Sequence, residues 1–210
     1  MCSVHLPPID AIRFVFTEEI GRAGGAVGAV YDVGGLLYAR AMLPGLSETG
    51  GALTAGVALR VTDDVAEVRP AVTWGDARAL LEMPVEVTAT VDSIRGGTRA
   101  CVVPAIFDEA AAEQRSAAGR GIEHPGNVVL SLITALARTG DASERLLPLL
   151  PAIMDRVRAG ARPTDWTAVE AVASVALTAK DETTRWHLDV LAGRLLMLRP
   201  SAGRQAWAAS

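Results

Sequence analysis

Lysine is almost missing from this sequence. Lys180 is the only one, and every other basic side chain is an arginine. A phosphate-binding loop of the Gly-Lys-Ser/Thr type is thereby excluded, because that chemistry needs a lysine directly after a glycine-rich turn. Cysteine is scarce too: Cys2 and Cys101 make no disulfide framework and are too few for a zinc site unless histidines join them. The three histidines, His5, His124 and His187, are far apart in the chain. Aromatic residues make up only 4% of it, which leaves little stacking surface. No apolar run approaches the roughly 18 residues of a membrane span. No basic N-terminal stretch leads into an apolar run in the manner of a secretory signal. The expectation is a cytoplasmic protein with no membrane partner, no metal and no cofactor.

What is present is apolar bulk. Half of the 210 residues are hydrophobic, enough for a full core and too many for a disordered chain. The formal net charge of -4 gives no overall basic field to attract nucleic acid. The charge is uneven, with residues 1–100 carrying a net of -4 and residues 101–210 a net of 0.

Periodicity divides the chain into a single α+β domain: an N-terminal helix plus β-meander over 1–103, a helical part over 104–200, and a tail over 201–210. Ile9, Ile12, Val15, Phe16 and Ile20 form one helical stripe that Gly24-Gly25 ends. Leu37, Ala39, Ala41 and Leu43 then alternate with Tyr38, Arg40 and Met42. Val57, Leu59 and Val61 alternate with Arg60, and Asp63-Asp64 suit a turn into a returning strand from Val65 to Val72, with Pro70 at an edge or an end. A further strand is expected from Pro84 to Ile94, and Gly96-Gly97 are expected to turn into a last one at Ala100 to Val103. The result is an antiparallel meander of about five strands. The glycine-rich patches at 21–35 and 45–56 read as loops. From Pro104 onward the period is helical, with Asp141 and Glu144 resembling a capping box and Pro148 and Pro151 splitting the helix that follows. Strands followed by helices is the α+β pattern.

No constellation for catalysis emerges. Gly21 to Gly28 follow a helix, whereas a dinucleotide loop follows a strand. The carboxylate pairs Glu18-Glu19, Asp63-Asp64 and Asp181-Glu182 each have a structural place, on a helix face, in a turn and at a cap. Nothing beside Cys101 activates its thiol. A scattered site of Cys101, His124 and an acid is the one enzymatic arrangement left to consider.

Tyr38, Arg40, Arg60 and Arg69 fall outward on neighbouring strands. Arginines and an aromatic on one open sheet face are a candidate platform for single-stranded DNA or RNA, where bases stack and phosphates are neutralised. The alternative use of the same face is cross-strand pairing, for example with Glu67.

Residues 164–195 hold Trp166, Trp186, His187 and Lys180. Trp166, Val169, Val172 and Val175 share one helical face, and Trp186, Val190, Leu191 and Leu195 share another. An αα-hairpin turning at Lys180-Asp181 buries both tryptophans as core anchors, leaves His187 at the rim, and directs Thr183, Arg185, Asp189 and Arg194 outward.

Trp166, Ala171-Val172-Ala173, Arg185-Trp186 and Gly193 together resemble the C-terminal signature of a phage/plasmid-like family of unknown function (domain of unknown function 932). Leu43-Pro44 and Gly56 to Arg60 resemble its N-terminal half. Glu170 stands where that family often has Asn, and Trp74-Gly75-Asp76 replaces its Cys-x-Asn segment. The resemblance implies a mobile-element protein and carries no enzyme activity. The expected function is therefore non-enzymatic binding, of single-stranded nucleic acid through the arginine face. The alternative is an assembly protein acting through homo-oligomer or protein-partner contacts.

Overall fold

The computed structural model describes residues 8–33, 35–46, 53–62, 65–82, 85–122, 125–138, 142–159 and 163–198. Helix α1 (Ile9–Arg22) is followed by β1 (Ala26–Val33), β2 (Leu36–Met42), β3 (Thr54–Thr62), β4 (Val65–Trp74), β5 (Ala77–Leu80) and β6 (Val85–Thr88). The helical half comprises α2 (Val91–Cys101), α3 (Pro104–Gly119), α4 (Pro125–Ala137), α5 (Ala142–Leu146), α6 (Leu150–Ala159), α7 (Asp165–Leu177) and α8 (Glu182–Met197). A 3-10 turn at Leu147–Leu149, carrying Pro148, separates α5 from α6. The fold is α+β: an N-terminal helix, an antiparallel sheet and a helical C-terminal half.

The strands run in the order β1-β2-β3-β4-β5, each antiparallel to its neighbour, with β6 also pairing β4. Along its outer side β4 meets β6 at Val65 to Val68 and β5 at Ala71 to Trp74. Pro70 sits in the gap between those two pairings, and its carbonyl accepts from the Leu81 N–H at 2.9 Å. A strand residue directs its N and its O toward the same side. The missing Pro70 N–H therefore points at the gap and costs no ladder bond.

Alternation gives the sheet two faces. Leu37, Ala39, Leu59, Val61, Val68 and Val72 share the main core with Ile12, Phe16 and Ile20 of α1, and with Ile94 and Cys101 of α2. Each fully buried side chain of this size contributes about 1.5–3 kcal/mol. The second face carries Tyr38, Ala58, Ala71 and Leu80, which pack with Trp186 and Val190 of α8.

The strand expectations need correction. Residues 26–33, read as a glycine-rich loop, form β1. It pairs with β2 through a bulge between Val27 and Ala29. The short β5 follows a tight turn at Gly75-Asp76, where Gly75 has φ +56. The strand expected to continue to Ile94 ends at Thr88, and Gly96-Gly97 lie inside α2 rather than at a turn. Thr90 starts α2 by accepting from the Ser93 N–H. Ile94, Gly97, Thr98 and Cys101 then form a buried stripe at helical spacing. That tertiary burial outweighs the weak helix propensity of two glycines. The expected turn at Asp63-Asp64 and the cap at Asp141 lie outside the described residues.

Candidate functional site

The sheet register places the four sequence-derived residues on one face. Tyr38 pairs with Arg60, Arg40 with Ala58, and Ala58 with Arg69. The face is not an open platform, however. Tyr38 is 1% exposed, Arg40 and Arg69 are buried and Arg60 is half-buried. The cover is α8. Thr164 and Asp181 cap α7 and α8 respectively, so the two helices form the expected hairpin. From there α8 runs obliquely, from β2 at its first turn to β5 at Gly193. The Tyr38 hydroxyl bonds the Thr183 hydroxyl at 2.8 Å. Trp186 stands over Tyr38 with ring centroids 6.1 Å apart, in a trough left by the small side chains of Ala58 and Ala71. Trp166 packs on Trp74 at 4.7 Å. Both tryptophans are anchors of packing, as the periodicity implied.

Each guanidinium on the face has a partner that the α8 cover or the sheet supplies. Arg40 donates to Glu182 at 2.6 Å and lies 5.3 Å over the ring of Tyr31. Burial pushes the pKa of Arg40 down, and the nearby Arg78 adds to this. Arg60 pairs with Glu67 at 2.9 Å and lies 5.5 Å over Trp186. Arg69 donates to Glu67 and, at 3.2 Å, to the Leu81 carbonyl. Arg78, which the sequence did not single out, donates to Asp189 at 2.9 Å. Asp189 was expected outward and is instead 2% exposed. Burial raises its pKa while Arg78 and Arg40 pull it down. The signals for these partners lie in the pattern Glu182-x-x-Arg185-x-x-x-Asp189, which is polar along the same helix that carries Trp186 and Val190. Read on a lone helix, that pattern is a solvated face; only a charged sheet beneath it makes it a buried one.

His187 is half-buried. Arg60 Nη1 lies 3.1 Å from its Nε2, and a guanidinium can only donate, so Nε2 accepts and the proton sits on Nδ1. Burial, reinforced by Arg60, pushes its pKa down to about 4, which keeps the imidazole neutral near pH 7.

The course of α8 divides the face into two clefts. One, of about 260 Å³, has Arg40, Arg78 and Arg185 over a floor that includes Ala58 and Ala71. The other, of about 310 Å³, has Arg60, Arg69, Arg138, Arg194 and His187 around it, together with Glu67 and Glu86.

The other sequence candidates resolve into structure. Glu19 is buried and pairs with Arg99, Arg22 and Arg95, which hold its pKa below the usual carboxylate value. Glu182 is the partner of Arg40, and Asp181 caps α8 by accepting from the Thr184 N–H at 2.7 Å. Burial pushes the Cys101 thiol up to about 12, the opposite of activation. Among the described residues no group of three or more His, Cys, Asp or Glu is placed to hold a metal ion, and no helix is long and apolar enough to cross a membrane. Cys2, His5 and His124 lie outside the described residues.

A different surface is open. Helix α4 buries Val128, Leu132, Ala135 and Leu136, yet Leu130 is 56% and Ile133 50% exposed on its outer side. Val129 and Leu147 are exposed nearby in the chain. Beside it Leu132, Leu150, Pro151 and Met154 line an apolar groove between α4 and α6, edged by Asp155 and Arg158.

Compared with protein-family models, curated proteins and solved structures, the chain matches none.

Proposed function

We propose that this protein is a non-enzymatic binding protein of the assembly type, acting through contacts between copies of itself made on α4 and α6. The observation that carries the reading is the outer side of α4. A surface helix normally turns a polar side to water, but α4 presents Leu130 and Ile133 there. The groove beside it adds apolar area that a neighbouring helix can fill. Its rim holds one acid and one base, Asp155 and Arg158, so a second copy related by a two-fold axis meets no net like charge. A phage- or plasmid-borne setting rests on the sequence resemblance alone.

The reading through single-stranded DNA or RNA has less support. A strand reaching Arg40 must first displace Glu182 of α8, and Tyr38 offers no exposed ring for stacking.

Light scattering on the purified full chain over a wide concentration range tests the assembly reading. A defined oligomer that dissociates on dilution is expected, and a monomer at every concentration rejects it. Fluorescence anisotropy with labelled single strands on the same sample reports on the other reading. Salt-sensitive binding there restores it.

A further inference from the structure

We infer that the cleft walled by Arg60, Arg69, Arg138, Arg194 and His187 binds a small oxyanion, a phosphate or carboxylate group. The first ground is a set of buried donors that make no hydrogen bond. Arg194 Nε, Arg194 Nη1 and His187 Nδ1 are all buried and all without a hydrogen-bond partner. Buried N–H groups are nearly always paired, so three of them, on two side chains that lie about two turns apart on α8 and border the same cleft, mark a place that an acceptor completes. All three are donors: a guanidinium has no acceptor, and His187 Nε2 already accepts from Arg60. A ligand that only accepts, with several oxygens close together, is the complement.

Charge gives the second ground. Four arginines border the cleft. Glu67 is engaged by Arg60 and Arg69. Glu82 approaches Arg194 Nε at 3.3 Å and Arg138 at 3.9 Å without the geometry of a hydrogen bond, and both Glu82 and Glu86 are exposed. Four guanidinium groups thus face two carboxylates in the lining, Glu67 and Glu86, which leaves the cleft positive. Arg138 is exposed, but Arg69 and Arg194 are largely desolvated, where a charged hydrogen bond is stronger than in water. Shape is the third ground. The cleft holds about 310 Å³, at the small end of ligand sites, with Trp186 and Val190 as an apolar wall. The sister cleft is a weaker candidate, because Glu182 and Asp189 already occupy Arg40 and Arg78 and leave only Arg185 Nε buried without a partner.

The test is a side-chain NMR titration of the full chain with sodium phosphate and, separately, sodium succinate, with chloride holding ionic strength constant. Saturable movement of the Arg194 Nε–H and His187 ring signals is expected, at millimolar affinity. Saturation by phosphate alone, by succinate alone or by both assigns a phosphoryl site, a carboxylate site or a general oxyanion site, and each outcome supports the inference. Arg194→Gln is expected to weaken binding at least about tenfold, the effect of one lost charged hydrogen bond. Arg13→Gln, at an exposed arginine of α1, is expected to leave it unchanged. Shifts that grow linearly without saturation, saturation that leaves Arg194 Nε–H unmoved, or equal affinity in folded Arg194→Gln overturn the inference. Should Arg194→Gln not fold, the wild-type titration decides alone.

Discussion

Gly193 brings the backbone of α8 against the carbonyl of Leu80, so closely that a β-carbon at that position would lie 1.9 Å from the oxygen. The neighbour is a strand backbone and cannot swing away like a side chain. Gly193→Ala is therefore expected to destabilise the protein by about 3 kcal/mol as α8 is pushed off β5. An alanine inside an ordinary exposed helix would instead gain about 1 kcal/mol over glycine. Urea unfolding of the two proteins gives the sign directly.

Asp189 is buried and Arg78 half-buried, with 11% of its side chain exposed, and the two depend on each other. Asp189→Ala alone is expected to cost about 3–5 kcal/mol, because Arg78 is left charged without its partner. Adding Arg78→Met removes the stranded charge and is expected to recover most of that loss. Chemical denaturation of the single and double variants measures the coupling. A double variant that is the sum of two large single losses contradicts it.

His187 makes stability depend on pH. The unfolded side chain takes a proton near 6.5, and the folded one only near 4. Below pH 6.5 the unfolded state thus binds more protons than the folded state, so stability falls as the pH drops from about 6.5 toward 4. His187→Gln is expected to flatten that part of the curve. NMR titration of the imidazole should show a midpoint near 4; a midpoint near 6.5 would place the ring in water.

Glu19 works in the same direction at lower pH. Its bond to Arg99, helped by Arg22 and Arg95, lowers its pKa below the ordinary 4.5. The stability it contributes is present above that value and is lost as the pH falls through the lowered one. Glu19→Gln is expected to bring the protein's acid unfolding to higher pH, read by circular dichroism.

On α4, Leu130→Glu together with Ile133→Glu is expected to abolish the proposed self-association and leave a monomer. Because both side chains are exposed in the single chain, folding stability should change by less than about 1 kcal/mol. Sedimentation and thermal unfolding separate the two effects. Loss of the fold would mean that these side chains are part of the core of the chain itself.

The α+β class was legible because its signals are local. Ile12, Phe16 and Ile20 repeat at helical spacing, Leu37 to Leu43 and Val57 to Val61 alternate, and Asp181 is a cap that needs no distant partner. The same alternation correctly placed Tyr38, Arg40, Arg60 and Arg69 on one face. What covers a face is a different kind of fact. Whether an arginine on a strand meets water or Glu182, 142 residues later in the chain, depends on where α8 lies. That position is set by contacts no local pattern contains: the Ala58–Ala71 trough, the missing β-carbon at Gly193, and Asp189 waiting for Arg78. The sequence by itself determined the period of each segment and the side on which each residue falls, since backbone geometry fixes both. Only the tertiary structure decided which side is buried, because burial belongs to a pair of surfaces, and one strand or one helix supplies only one of them.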